Sequence, residues 1–243
     1  MKKNFLLPIF LLLLFCMTVL TGCIFQKTVK DLDRNQIVAS SPYFPERMPA
    51  PSDIPSLAKN SEVIIYGEVL HTKSVMPLNK IPQTFEEVKI LKSLKGNFEE
   101  GKCITVRKEN GVINLKDHIN SFPSKEKEDI ERQKFLQYTD AELKDLYIEQ
   151  TEPGDMILTP GDKVIYFLDK SPAKKYRKIY TPSYGPESEY LEMNKNQFVQ
   201  MPVWVSINNL SSSENEDLSE QWSYEIYTLD QITDFVQESL DSK

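Results

Sequence analysis

Cys23 is the residue whose chemistry is most clearly indicated by its position in the sequence. It directly follows Leu20, Thr21 and Gly22, and an apolar run over residues 5–20 lies between these residues and the cationic start at Lys2 and Lys3. A cationic start, an apolar segment and small residues before a boundary are typical of a secretory signal peptide. A cysteine at that boundary offers a thiol for covalent attachment of a lipid.

The sequence Leu20-Thr21-Gly22-Cys23 resembles the bacterial lipobox. The resemblance implies cleavage before Cys23, a diacylglycerol thioether on its sulfur, and a lipid-anchored protein on the extracytoplasmic face of the cell membrane. Two acyl chains are enough for stable attachment. The alternative is an uncleaved anchor helix ending at Thr21. The apolar run is interrupted by Pro8 and is shorter than the about 20 residues that a membrane-spanning helix needs.

Other residues with catalytic or ligating chemistry are few. His71 and His118 have no second ligand at metal spacing, and no zinc, nucleophile-elbow or phosphate-loop motif is present, so we expect no metal, no cofactor and no evident catalysis. A glycosidase-type pair of carboxylates stays open, because two acids can meet from anywhere in the chain. Cys103, the remaining cysteine of the mature chain, lies in a strand-like run and is expected to be a buried, inert thiol.

The charge balance excludes one class of partner. Loss of residues 1–22 removes two of the 29 basic residues and none of the 36 acidic ones, so the mature chain is more acidic than the full chain, whose formal charge is −7. An acidic domain has no electrostatic reason to bind nucleic acid or anionic lipid head groups through its body. The expected contacts are the membrane, through the lipid on Cys23, and an envelope protein or wall polymer.

Aromatic residues in the second half of the chain are the candidate ligand or partner surface. Such rings present flat amphipathic faces that stack on sugars or anchor protein partners. The alternative is that they fill the core of the domain. The candidates are Tyr176, Tyr180, Tyr184, Trp204, Trp222 and Tyr224.

The composition predicts three regions along the chain. Residues 1–22 are the signal peptide, residues 23–56 are the lipid anchor and a proline-rich spacer, and residues 57–243 are one domain with a C-terminal extension. Five prolines fall between positions 42 and 55. Extended backbone of this kind rises about 3.1 Å per residue and would hold the domain about 40 Å from its lipid.

The domain is predicted to be mainly β. Runs rich in β-branched and aromatic residues predict strands at 61–72, 84–94, 103–108, 163–168, 176–184, 197–207 and 222–227, with a bulge at Gly67. Three helices are predicted. The first spans residues 125–137, and the second follows the capping-box pattern of Thr139 and Glu142. The third spans residues 229–240 and follows the capping-box pattern of Thr228 and Gln231.

Three strands, a helical insertion and further strands form the element order of an OB-like barrel. Residues 61–69, 85–96, 104–106 and 161–168 resemble successive strands of the small secreted barrels of the netrin and metalloproteinase-inhibitor type. The resemblance covers residues 57 to about 185. It implies a five-stranded OB-like barrel with a helical insertion between strands 3 and 4, followed by a C-terminal helix.

The sequence departs from those inhibitors at the residue that matters for their activity. They chelate the zinc of their target with a free N-terminal cysteine and carry several disulfides, whereas here Cys23 is expected to be lipidated and Cys103 has no partner for a bridge. We therefore expect a binding or assembly module at the cell envelope. The alternatives are an envelope-active hydrolase that uses convergent carboxylates and a purely structural envelope component.

Overall fold

The computed structural model describes residues 27–42, 44, 46, 48–76, 82–171, 178–203 and 225–241. The strands in these ranges are β1 (Lys27–Lys30), β2 (Ile37–Pro42), β3 (Val63–Met76), β4 (Gln83–Lys95), β5 (Cys103–Lys108), β6 (Gly111–Asn114), β7 (Tyr147–Thr151), β8 (Lys163–Lys170), β9 (Ile179–Pro186), β10 (Glu189–Asn194) and β11 (Gln197–Gln200). The α-helices are α1 (Ile54–Asn60), α2 (Leu115–Asn120), α3 (Lys125–Gln133) and α4 (Leu229–Asp241).

Five strands close into a barrel in the order β3-β4-β5-β9-β8, and β8 pairs back with β3. The β5–β9 pair is parallel, and the other four pairs are antiparallel. This mixed, closed barrel is consistent with an OB-like fold. The prediction of a mainly β protein with a five-stranded barrel is confirmed, including a helical insertion between the third and fourth barrel strands, β5 and β8, and a C-terminal helix.

Alternation of side chains along the strands builds the barrel interior. Val88 and Ile90 of β4, Ile104 and Val106 of β5, and Val164 of β8 belong to one buried cluster because successive residues of a strand point to opposite faces. Gly67 of β3 lies at the predicted bulge, where the pairing register with β4 shifts. A Cβ there would lie 2.4 Å from Val88 Cγ1, so the close approach of the two strands requires glycine.

The insertion between β5 and β8 has a small core of its own. Strands β2, β7 and β6 make a three-stranded sheet, and α2 and α3 are part of the same insertion. Its buried residues are Leu115, Ile119, Phe135, Leu143 and Ile148.

The predicted helix after Thr139 is wrong, although its cap is present. The Thr139 backbone N–H donates to Glu142 Oε2 at 2.7 Å, and the Glu142 N–H donates to Thr139 Oγ1 at 3.3 Å. Only a 3₁₀ turn over Glu142–Lys144 follows, and then Tyr147 begins β7. Pairing of β7 with both β2 and β6 satisfies its backbone, so tertiary structure overrides the local helical spacing.

The C-terminal helix was predicted correctly. The N–H of Gln231 donates to Thr228 Oγ1 at 3.2 Å, and the N–H of Thr228 donates to Gln231 Oε1 at 2.7 Å, which completes the capping box. Ile232 and Val236 of α4 pack in a second buried cluster with residues of α1 and β8. This cluster covers the outside of the barrel.

The expectation of an extended spacer at 23–56 differs from the structure over residues 27–42. Strand β1 pairs with β3, β2 pairs with β7, and Arg34 forms an ion pair with Asp162. Ile54 of α1 is buried in the second cluster. The proline-rich stretch therefore connects two elements that are docked on the domain, and it does not separate the domain from the N-terminus.

The remaining predicted strands are seen in part. Residues 179–184 of the 176–184 run lie in β9, and residues 197–200 of the 197–207 run form β11. Tyr227 makes an isolated bridge with Phe198. Residues 176–177, 204–207 and 222–224 of these runs lie outside the described residues.

Candidate functional site

Four ionisable side chains meet inside the barrel wall. Glu86 lies on β4, Lys108 ends β5, Glu189 begins β10, and Asp155 lies in the loop between β7 and β8. Lys108, Asp155 and Glu189 have side chains that are 3%, 4% and 0% exposed, and Glu86 is fully buried. We call these four residues the buried charge cluster.

Strand alternation places two of these charges inside. Ile104 and Val106 are buried in the barrel core, so Lys108, two residues after Val106, points the same way. In the same manner Ile90 and Val88 direct Glu86 inward. The pleat of β4 and β5 therefore forces charges into positions where an apolar side chain would be expected.

The ammonium group of Lys108 is the centre of the buried charge cluster. Its Nζ donates to Asp155 Oδ1 at 2.7 Å, to Glu189 Oε2 at 2.9 Å and to the Met156 carbonyl at 3.3 Å. Buried charges are stable only when they are paired and hydrogen-bonded. Asp155 supplies the opposing charge for Lys108, and Glu189 and the Met156 carbonyl supply further hydrogen-bond acceptors.

A ring of neutral donors orients the carboxylates. Asn110 Nδ2 donates to Asp155 Oδ2 at 2.6 Å, the Met156 N–H donates to Asp155 Oδ1 at 2.7 Å, and the Tyr166 hydroxyl donates to Glu86 Oε2 at 2.7 Å. In contrast, Glu86 Oε1 and Glu189 Oε1 have no hydrogen-bond partner among the described residues. Each of these two buried carboxyl groups therefore keeps an oxygen available to another donor.

The electrostatics of the buried charge cluster favour protons on its glutamates. Burial raises the pKa of Glu189 to about 8, because the opposing charge of Lys108 does not offset desolvation and the neighbouring carboxylates. Burial also raises the pKa of Glu86, only partly offset by Lys108 and by the Tyr166 hydrogen bond. Burial alone would lower the pKa of Lys108, but Asp155, Glu189 and Glu86 outweigh it and raise that pKa. Lys108 is therefore charged at neutral pH.

A cavity of about 200 Å³ opens beside the buried charge cluster. It is lined by Lys108, Asp155 and Glu189, by further charged residues of β5 and the insertion, and by residues of β9. Its lining residues are Arg107, Lys108, Glu109, Glu152, Asp155, Thr181, Pro182, Ser183, Gly185 and Glu189. Carboxylates outnumber cationic groups in this lining, so the cavity suits a neutral or cationic polar ligand better than an anion.

The arrangement offers both acceptors and a proton donor. Glu189 Oε1 and Ser183 Oγ are on residues that line the cavity, and neither atom has a partner among the described residues. Ser183 Oγ, and Glu189 Oε1 when that carboxyl is ionised, are able to accept a hydrogen bond from a ligand. A Glu189 carboxyl that keeps its proton at neutral pH is also able to donate it. Binding of a donor-rich ligand and general-acid chemistry are thus both within the chemistry of the cavity.

No protein-family model, curated protein or solved structure matches this chain.

Two of the six aromatic residues proposed from sequence lie in the described structure, and they pack against different clusters. Tyr180 is half-buried, packs against the barrel core and makes an edge-to-face contact with Phe98, with ring centroids 5.6 Å apart. Tyr184, on the same strand, packs instead against the cluster under α1 and α4. Tyr176, Trp204, Trp222, Tyr224 and the lipidation residue Cys23 lie outside the described residues.

The histidines and Cys103 occupy other parts of the molecule. His71 Nδ1 lies 3.1 Å from Asp31 and is exposed, whereas His118 is largely buried, with Nε2 3.3 Å from Glu131. The expectation of a buried Cys103 is wrong, because its side chain is exposed at the start of β5. Alternation explains this, since Ile104 and Val106 take the inward positions.

Sequence reasoning missed the buried charge cluster, although part of the signal was present. The period-two pattern of Ile104 and Val106 places Lys108 inside, and that of Val88 and Ile90 places Glu86 inside. Asp155 and Glu189 carry no comparable local signal, because one lies in a loop and the other opens a strand.

Two features are absent from the residues that the structure describes. No helix there is both long and apolar enough to cross a membrane. Nor do three or more His, Cys, Asp or Glu side chains converge there in a way that would hold a metal ion.

Proposed function

We propose that the protein is a lipid-anchored, extracytoplasmic binding module of the cell envelope, and that the cavity beside the buried charge cluster is its ligand site. The signal-peptide pattern and the resemblance of residues 20–23 to a lipobox support the anchor on Cys23. The barrel of netrin and metalloproteinase-inhibitor type serves in this proposal as a scaffold for the cavity, and the proposal does not include inhibition of metalloproteases.

The observation that carries the ligand site is the unpaired oxygen of Glu189. This residue is fully buried and lines the cavity, and its Oε1 has no hydrogen-bond partner among the described residues. A buried polar atom without a partner is costly, so a ligand hydroxyl, which is able both to donate and to accept a hydrogen bond, gains the energy of relieving it. The ligand is therefore a polar molecule rich in hydroxyl or ammonium donors, such as a fragment of wall polymer.

Binding is tested with the lipidated protein in detergent, by isothermal titration calorimetry against glucosamine and N-acetylglucosamine. We expect glucosamine to bind more tightly, because its ammonium group complements the acidic lining. Ser183→Ala and Glu152→Gln change the lining without touching the buried charge cluster, and each should weaken binding by about fivefold or more. Glu99→Gln, at an exposed turn, is the control.

The proposal of a ligand site fails if neither sugar binds, or if Ser183→Ala and Glu152→Gln bind as tightly as the Glu99→Gln control. The anchor is tested separately by membrane fractionation. Cys23→Ala should release the protein from membranes, whereas retention of this variant would support an uncleaved anchor helix.

A second candidate is a hydrolase of wall polymer, favoured by the raised pKa of Glu189. A carboxyl that holds its proton at neutral pH beside an open cavity is what a general acid requires. Release of reducing ends from purified wall polymer tests this function. Glu189→Gln should abolish the release while binding persists, and wild-type protein that releases none excludes the hydrolase.

A further inference from the structure

The length of chain between Cys23 and the barrel limits how far the domain stands from its lipid. Strand β1 begins at Lys27 and pairs with β3. Four residues, even fully extended, span at most about 14 Å. If Cys23 is lipidated, as in the proposed function, the barrel lies against the membrane and not on a stalk about 40 Å long.

The register of the strands shows which end of the sheet lies nearest to the anchor. Lys27 pairs with Met76, at the end of β3, and Val29 pairs with Ser74, which pairs with Thr84 near the start of β4. Thr84 in turn pairs with Lys108, at the end of β5. The anchor therefore enters at the end of the sheet that carries Lys108.

A row of three basic residues and one phenylalanine crosses the outer face of the sheet at this end. Lys30 pairs with Lys73, Lys73 with Phe85, and Phe85 with Arg107, so the four residues lie side by side on β1, β3, β4 and β5. Their strand neighbours Ser74, Thr84 and Lys108 are buried, which places the row on the opposite, outer face. We call these four residues the basic row.

The two lysines of the basic row are not neutralised by the protein. Lys30 and Lys73 are exposed and directly opposite each other, and within the described part of the chain neither forms an ion pair. Like charges directly opposite on paired strands repel. The neighbouring carboxylate of Asp31 is already occupied, since it accepts the Thr72 N–H at 2.8 Å and contacts His71 at 3.1 Å.

We propose that the basic row rests on the anionic lipid head groups of the membrane that holds Cys23, with Lys30 and Lys73 as the principal contacts. The short tether keeps this face near the surface, so contacts too weak to recruit a free protein are enough to orient a tethered one. Each basic residue near an anionic surface favours the bound orientation about fivefold. The acidic net charge of the chain does not oppose this, because only the charges within about 10 Å of the surface are felt strongly.

Orientation is measured with one fluorophore at a time on the lipidated full-length protein in vesicles. Cys103→Ser removes the free thiol of the mature chain, and a label is then placed by Thr28→Cys on β1 or by Asp234→Cys on α4. Helix α4 lies at the end of the sheet that is far from the basic row. Lys92 of β4 donates to Thr233 of α4 at 3.3 Å, and Lys92 is seven residues, about 24 Å, along the strand from Phe85. A quencher attached to lipid head groups reports the proximity of each label.

On vesicles of phosphatidylglycerol and phosphatidylcholine, we expect strong quenching of the Thr28 label and weak quenching of the Asp234 label. Lys30→Gln combined with Lys73→Gln should reduce the preference for this orientation by about 25-fold, which is two steps of about fivefold. The matched control is Lys102→Gln with Lys170→Gln, which removes the same charge from side chains that are 66% and 62% exposed elsewhere.

Equal quenching of the two labels on a protein that stays with the vesicles would overturn the proposed orientation. A preference that is equally strong on pure phosphatidylcholine, or equally reduced by the control pair, would overturn the role of Lys30 and Lys73. A wild-type protein that carries no lipid and does not sediment with vesicles would instead refute the anchor of the proposed function. The two failures are therefore distinguishable.

Discussion

Replacement of Lys108 by methionine tests whether this ammonium group is the counter-charge of the buried charge cluster. Methionine has a similar length and removes the donor that Asp155 and Glu189 share at 2.7 and 2.9 Å. Removal of one partner from a buried ion pair costs about 3–5 kcal/mol of unfolding free energy. Asp155 keeps its hydrogen bonds from Asn110 and Met156, whereas Glu189 loses its only described donor.

The penalty of Lys108→Met should depend on pH in a defined direction. Without Lys108, the pKa values of the buried carboxyl groups rise further in the folded state, so at neutral pH the folded variant binds more protons than the folded wild type does. Its stability relative to the wild type then increases as the pH falls. For one additional proton the change is up to about 1.4 kcal/mol per pH unit, so the penalty should shrink by roughly 1–3 kcal/mol between pH 7 and pH 5.

Urea unfolding followed by circular dichroism at pH 7 and pH 5 measures both effects. Lys102→Met is the matched control, because the Lys102 side chain is 66% exposed and lies 3.8 Å from Glu99. This control should change the unfolding free energy by less than about 0.5 kcal/mol. A cost of Lys108→Met below about 1 kcal/mol at pH 7, or a cost that does not shrink at pH 5, would refute the role of Lys108 as the counter-charge.

Three further substitutions test the site and the fold. Wild-type stability should fall as the pH rises from about 4.5 to about 8, because the pKa of Glu189 in the folded state is raised to about 8. Thermal unfolding of Glu189→Gln should therefore depend less on pH than that of the wild type. Gly67→Ala should cost about 1–3 kcal/mol in urea unfolding, because the new Cβ would lie 2.4 Å from Val88 Cγ1. Thr228→Ala should cost about 1 kcal/mol, because the N–H of Gln231 loses its acceptor.

Each of these predictions has a result that contradicts it. An unchanged pH slope in Glu189→Gln would assign the proton to another group. A neutral Gly67→Ala would mean that β3 and β4 separate at no cost. A Thr228→Ala variant as stable as the wild type would show that packing of Ile232 and Val236 alone defines the start of α4.

Local sequence patterns predicted the barrel strands and the last helix well. Strands β3, β4, β5 and β8 lie in runs rich in β-branched and aromatic residues, and α4 carries both an apolar face and its own cap. These patterns depend on residues that are near each other in sequence, so they predict structure without information about distant segments.

Where long-range pairing decided the structure, the same patterns failed. The capping box of Thr139 formed as predicted, yet β7 replaced the helix because two neighbouring strands satisfy its backbone. In the same way, β1 and β2 fall in the predicted spacer. These strands have only four and six residues, so their sequences give little indication of strand structure until they pair with β3 and β7.

The sequence by itself determined the predicted lipid anchor at Cys23, the acidic net charge and the order of elements along the chain. Only the tertiary structure decided where the chemistry lies. Glu86 and Lys108 point inward because of strand alternation, but Asp155 and Glu189 reach them from positions 47 and 81 residues beyond Lys108. Burial in the folded barrel then raises the pKa of Glu189, an effect that exists only once these distant segments exclude water together.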